Sequence, residues 1–168
     1  MKKRYFKSSI RAAFVIIFLS LFLMRCSSSK KAVALNEGDV KNIIDSSRFT
    51  FVAERMNPMR GPSRILSSYY DVEVKKDTLS SFLPFFGRSY QAPLDPSKSP
   101  LAFHSYNFTY KTEQKNKDQW QVIINPMDRQ EIQELLFTIF NNGSATLNVV
   151  STNRDAISFY GHIERNKQ

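Results

Sequence analysis

The sequence has few of the residues that build disulfides and metal sites. Its 168 residues include one cysteine and two histidines, so neither an internal disulfide nor a cysteine-based zinc site can form. His104 and His162 stand far apart, and neither has a second histidine at the spacing of a metal-binding helix. We therefore expect no metal site.

Glycine and proline are also scarce, at 5 and 7 residues, which excludes a collagen-like chain. Hydrophobic residues make up 42% of the chain and aromatic residues 13%, so it can bury a core and differs from a disordered sequence. The length is that of a single domain with a small appendage.

The positive net charge is concentrated at one end of the chain. Six of the 24 basic residues and none of the 15 acidic residues fall within positions 1–25, so the remainder carries only about +3. A duplex-binding surface needs basic residues gathered on one face. We therefore expect no binding to nucleic acid.

Sequence motifs of common enzymes are missing as well. The chain has no G-x-S-x-G nucleophile elbow and no phosphate-binding glycine loop, and we expect no cofactor. Acidic pairs such as Asp71 and Glu73 fall on the polar side of a predicted strand, as in a solvated edge. These absences favour a protein that is not an enzyme.

Residues 1–25 are typical of a signal peptide. A positively charged start precedes the uncharged, apolar segment Ala12–Met24. Thirteen residues are too few for a membrane-spanning helix, which needs about 20, but they fit the apolar region of a signal peptide. The sequence therefore predicts an exported protein.

Cys26 follows this segment directly, and Leu23-Met24-Arg25-Cys26 resembles the lipobox of bacterial lipoproteins, although the family pattern has a small residue in place of Arg25. The resemblance implies that Cys26 is acylated and anchors the chain to a membrane. Residues 26–35, which include three serines, would form a flexible tether. The expected location is the bacterial cell envelope, facing the periplasm. The alternative is a free thiol beside an uncleaved or differently cleaved signal.

Residues 36–168 show the patterns of one short helix followed by strands. The segment Asn36–Ser46 has apolar residues at helical spacing. Apolar residues then alternate with polar ones, or form a short apolar run, in seven predicted strands, around Phe49–Ala53, Tyr70–Val74, Tyr106–Tyr110, Trp120–Ile124, Leu135–Phe140, Ala145–Val149 and Ile157–Ile163. Without crossover helices, this pattern predicts an antiparallel all-β sandwich or partly closed barrel.

Two connections are predicted from their composition. The polar segment Thr112–Asp118 is typical of a solvated hairpin loop. Asn142-Gly143 predicts a tight type I′ turn between two antiparallel strands.

The segment Ser81–Pro93 has an unusual concentration of aromatic residues. With the turn around Arg154, it provides the candidate binding face, which comprises Phe85, Phe86, Arg88, Tyr90 and Arg154. The alternative is that these rings close one end of the core and that the arginines bond nearby carbonyl or carboxylate groups.

Several motifs spread over residues 48–164 resemble the domain-of-unknown-function family 4251, a family of small exported bacterial proteins. They are Leu83–Arg88, the strand around Trp120, Asn142–Leu147, Asn153-Arg154 and Ile157–Gly161. The resemblance implies an all-β exported domain. It implies no activity, because the family has no assigned reaction.

The sequence therefore predicts a lipid-anchored envelope protein that acts as a non-enzymatic binding or structural module. Its expected partners are the membrane, through the N-terminal lipid, and a protein or hydrophobic ligand. Two alternatives remain open. One is a periplasmic carrier of a hydrophobic small molecule, and the other is an envelope hydrolase whose acid and base meet across strands.

Overall fold

The computed structural model describes residues 35, 37–91 and 99–166. The predicted signal peptide, Cys26 and most of the predicted tether lie outside the described residues. One helix, α1, spans Glu37–Asp45. Nine strands follow: β1 (Phe49–Pro58), β2 (Arg64–Val74), β3 (Leu79–Phe82), β4 (Ala102–Ser105), β5 (Phe108–Asn116), β6 (Gln119–Pro126), β7 (Ile132–Phe140), β8 (Ser144–Ser151) and β9 (Ile157–Glu164).

The nine strands form one sheet in which hydrogen-bonded neighbours are antiparallel, in the order β4-β3-β2-β1-β9-β8-β7-β6-β5. β4 and β5 are at opposite edges of this order, yet only Tyr106 and Asn107 separate them in the chain. Three residue steps span about 10 Å at most, so the sheet must curl until its edges approach. The result is a nearly closed barrel, which confirms the predicted fold class.

Asp128 holds this corner of the barrel. Its carboxylate accepts hydrogen bonds from the Ser105 hydroxyl and, at 3.0 Å, from the Tyr106 N–H. These two donors lower the pKa of Asp128. Asp128, in the charged connection after β6, thus holds the edge strand β4 and the link that leads to the other edge strand, β5.

The barrel interior is filled by aromatic and aliphatic side chains. Along β6, and along β8 as far as Val149, every second residue is buried, as the two-residue period predicts. Phe137 makes edge-to-face contacts with Phe49 and Phe51, with ring centroids 5.4 and 5.8 Å away. These three rings and Phe159 are fully buried.

Helix α1 covers the barrel end where β1 begins. Its apolar residues Val40, Ile43 and Ile44 are buried in the core. The Tyr110 hydroxyl donates a hydrogen bond of 2.8 Å to the Ile44 carbonyl, and burial raises the pKa of Tyr110. The predicted helix is confirmed. No helix in the described ranges is long and apolar enough to cross a membrane.

Two local predictions were wrong. β5 continues to Asn116 and β6 starts at Gln119, so the expected loop over 112–118 is mostly strand. Tyr106 precedes β5 and is exposed. The first error arises because β5 lies at the edge of the sheet and is polar from Lys111 onward, which hides its two-residue period. The second arises because Tyr106 is in the two-residue link between β4 and β5.

The predicted hairpin at Asn142-Gly143 is present, but its turn is not type I′. Of Asn142 and Gly143, only Gly143 has a positive φ, of 83°. A type I′ turn requires a positive φ at both central residues. The Gly143 N–H donates to the Phe140 carbonyl at 2.8 Å. The Asn142 side-chain oxygen accepts a 2.9 Å hydrogen bond from the Ser144 N–H, so the asparagine stabilises the turn through its side chain.

Gly161 provides a test of backbone packing. It pairs with Ala53 beside the bulge in β1, and a Cβ at this position would lie 1.8 Å from the Val52 carbonyl oxygen. We expect Gly161→Ala to lower the free energy of unfolding by about 3 kcal/mol, because the strands would have to separate. The measurement is urea denaturation followed by the fluorescence of buried Trp120.

The matched control is Gly38→Ala, since no atom lies within 4 Å of the added Cβ. Gly38 is in α1, where alanine stabilises by up to about 1 kcal/mol. Equal urea midpoints for the two variants would contradict the close approach at Gly161.

Candidate binding face

The segment after β3 crosses the barrel end opposite α1 and pairs with the turn between β8 and β9. Ser89 forms an antiparallel bridge with Arg154. The Tyr90 N–H donates to the Asn153 carbonyl at 2.8 Å, and the Asp155 N–H donates to the Arg88 carbonyl at 3.0 Å. These main-chain bonds fix the aromatic segment to a turn more than sixty residues away.

Asp155 is the centre of this contact and is only 2% exposed. Its carboxylate accepts hydrogen bonds from the Tyr90 hydroxyl and, at 3.2 Å, from the Arg88 N–H. The Arg60 Nε lies 3.9 Å from the same group. The Tyr90 hydroxyl lowers the pKa of Asp155, and the Arg88 N–H and the charges of Arg60 and Arg88 add to this effect against the opposing effect of burial.

Arg154 lies beneath the surface, with an exposed fraction of 5%. Its Nη2 atom pairs with the Glu131 carboxylate at 2.8 Å, and its Nε donates to the Asn153 side chain at 3.0 Å. The guanidinium is 5.6 Å from the centre of the Phe85 ring. Arg154 therefore supports the face from inside, with its charge already paired.

The two adjacent phenylalanines have different surroundings. Phe85 is half-buried and packs against the core, in line with the alternative that these rings close the barrel end. Phe86 is 43% exposed, and the Arg64 guanidinium lies 4.2 Å above its ring centre. Gly87 leaves room for the Phe85 ring, because a Cβ at this position would lie 2.9 Å from the ring.

Five side chains reach the surface around Asp155: Arg60, Arg64, Phe86, Arg88 and Tyr90. We call them the arginine–aromatic face. Tyr90 is 65% exposed, and the Arg60 side chain is 59% exposed. The structure thus brings together all the residues predicted from the sequence and adds Arg60, Arg64, Glu131 and Asp155. Their binding role stays a prediction.

The histidines lie on the outside of the barrel, away from this face. His104 is exposed on β4. His162 is on the outer side of β9, with Nδ1 2.8 Å from Glu54 and Nε2 3.1 Å from Glu164. Within the part of the chain that the structure describes, no group of three His, Cys, Asp or Glu residues could hold a metal ion.

A family model described as "Domain of unknown function (DUF4251)" matches residues 31–163, which include the arginine–aromatic face. The chain belongs to this family. A crystal structure of a DUF4251 family protein from Bacteroides eggerthii DSM 20697 is similar, with a TM-score of 0.56 and 14% sequence identity over 77% of this chain and 87% of that one. At this identity the similarity shows the fold alone. A comparison with curated proteins found no match.

Membership of DUF4251 confirms the resemblance inferred from the motifs. Because the family is uncharacterised, it assigns no reaction and no ligand. A function for this chain has to be argued from the geometry of its own residues.

The lowered pKa of Asp155 predicts acid sensitivity at this face. A carboxylate with a lowered folded-state pKa adds stability that is complete above its unfolded pKa of about 3.9 and is lost as the pH falls through the folded value. We expect the unfolding free energy to fall below about pH 4 in the wild-type chain. The Asp155→Asn variant should have a lower unfolding free energy near neutral pH, and that free energy should fall less as the pH is lowered. Urea midpoints measure both effects.

A local measurement locates the effect. Trypsin cleaves after exposed arginines, and Asp155→Asn should speed cleavage after Arg88 severalfold because the segment is no longer held. Asp77→Asn, which alters an exposed carboxylate on the turn between β2 and β3, is the control. Similar cleavage rates in the two variants would contradict the anchoring role of Asp155.

Proposed function

We propose that this chain is a lipid-anchored envelope protein whose domain binds a partner through the arginine–aromatic face and catalyses no reaction. One observation carries the proposal: main-chain pairing and the buried carboxylate of Asp155 hold the face in place before any partner arrives. A preformed face loses little conformational entropy on binding. Arginine and tyrosine are also among the residues that contribute most to protein interfaces.

The chain enters the domain at the barrel end opposite the arginine–aromatic face. Leu35 lies beside the turn between β7 and β8, because a Cβ on Gly143 would be 3.5 Å from its side chain. β8 leads from that turn to the turn that carries Asp155, and its eight residues span about 26 Å. A lipid at Cys26 would therefore be attached to the domain at the end opposite the arginine–aromatic face.

The filled interior supports this function over the carriage of a hydrophobic molecule. Phe49, Phe51, Phe137 and Phe159 occupy the centre of the barrel, so an apolar ligand there would have to displace packed side chains.

The protonation properties at the face support binding over hydrolysis. An acid or base that works near neutral pH needs a pKa shifted towards 7. The pKa of Asp155 is lowered instead, and the hydrogen bond to Asp155 raises the pKa of Tyr90. Both pKa values are therefore shifted away from 7, the range that general acid–base catalysis requires.

The lipid anchor can be tested at Cys26. We expect the wild-type chain to partition into the detergent phase and to carry an acylated N-terminal cysteine in mass spectrometry, since acyl chains anchor through their buried CH₂ groups. Cys26→Ser should lose this added mass, whereas Ser27→Ala should keep it. Wild-type protein without acyl mass would contradict the anchor.

Native mass spectrometry separates partner binding from carriage. The chain extracted from its own envelope should have the same mass before and after denaturation, apart from detergent, because the barrel interior is occupied by its own side chains. A specific small molecule that is lost only on denaturation would support the carrier function instead.

A further inference from the structure

The arginine–aromatic face has more positive than negative groups. Among the described residues, no carboxylate forms an ion pair with the side chain of Arg64 or Arg88, and Arg60 approaches only Asp155 at 3.9 Å. That carboxylate is buried and already accepts two hydrogen bonds from within the domain. Three exposed arginines therefore lie at this end of the barrel, and the carboxylate among them is buried.

The groove beside α1 at the opposite barrel end is different. It has a volume of about 400 Å³ and includes Arg48, Lys75, Lys76 and Arg165. Lys75 pairs with Glu73 at 3.0 Å, and Arg165 pairs with Asp39. Asp77 also lines this groove. Three carboxylates therefore offset four positive charges in this groove, and Arg48 and Lys76, which form no ion pair among the described residues, provide a matched control for the arginine–aromatic face.

The geometry of the arginines indicates what they would bind. A guanidinium group donates two parallel hydrogen bonds and matches a carboxylate in shape. The Arg64 guanidinium carbon lies 4.2 Å from the centre of the Phe86 ring, and this cation–π contact holds the guanidinium beside the exposed ring. Beside these donors, Phe86 and Tyr90 expose apolar ring surface. A ligand that suits both features carries carboxylates next to an apolar side chain.

We infer that the arginine–aromatic face binds an acidic segment of a partner protein, with carboxylates paired to Arg60, Arg64 and Arg88 and an apolar side chain against Phe86 and Tyr90. This inference rests on the proposed binding function of the same face. A protein segment fits better than the headgroups of the anchoring membrane, because Leu35, where the tether joins the domain, is at the other end of β8.

The test uses the full chain in detergent micelles and a fluorescein-labelled peptide that contains four aspartates and two phenylalanines. Fluorescence polarisation should show binding that weakens with added salt. The double variant Arg64→Gln/Arg88→Gln should reduce the affinity about tenfold. The fold should tolerate it, because Arg88 contacts Asp155 through its main-chain N–H, and the urea midpoint followed by Trp120 fluorescence checks this point.

The control double variant is Arg48→Gln/Lys76→Gln, which removes the same charge at the opposite end of the barrel. It should change the affinity less than about twofold if the peptide binds at the face. Equal losses in the two double variants would mean attraction to net charge alone and would overturn the inference.

Two further probes separate the remaining outcomes. A peptide with asparagine in place of aspartate should bind at least about tenfold more weakly. If it binds equally well and Phe86→Ala weakens both peptides, the face binds by apolar contact, so the acidic-segment inference fails while the proposed function stands. Absence of binding to either peptide overturns the inference. If the chain binds phosphatidylglycerol vesicles and not the acidic peptide, and the Arg64→Gln/Arg88→Gln variant loses this binding, the arginines bind a membrane surface and the inference fails.

Discussion

The architecture depends on the two-residue link between β4 and β5. These strands are at opposite edges of the strand order, and a link this short can join them only if the sheet curls round on itself. When the sheet curls, one of its faces encloses the hydrophobic core, and the two ends of the barrel have to be covered. Helix α1 covers one end, and the segment after β3 crosses the other. The candidate binding face is thus a consequence of closing the barrel.

Two aspartates perform the same physical task at different corners. Asp128 accepts hydrogen bonds from Ser105 and Tyr106, and Asp155 accepts them from Arg88 and Tyr90. Each carboxylate ties a distant segment to the turn on which it lies. Each has a lowered pKa because hydrogen-bond donors face its charged form. Only Asp155 has several arginines around it, and this difference marks its surroundings as the candidate site.

The sequence predicts those strands in which apolar residues alternate with polar ones, so that one side of the strand is apolar and the other polar. Trp120, Val122 and Ile124 are buried at every second position of β6, as expected. β3 and β4 were not predicted, because each has four residues and includes serine. Their positions follow from pairing with β2 and with each other, and such long-range pairing leaves no local pattern.

The candidate site was predicted in part for the same reason. The aromatic segment and Arg154 are conspicuous in the sequence, and the structure brings them together. Asp155 does not stand out in the sequence, since Asn-Arg-Asp has the composition of an ordinary solvated turn. Its role depends on a contact with Arg88 across 67 positions. A single sequence carries no signal for that contact.

The polar character of β5 has a consequence for the solubility of the barrel. β5 pairs with β6 on one side only, and most of its residues are exposed. An unpaired strand edge of nine residues can template the addition of strands from other molecules. Lys111, Glu113 and Lys115 place charges along this edge, and such charges oppose edge-to-edge aggregation. The residues that obscure β5 in the sequence thus also protect the seam of the barrel from polymerisation.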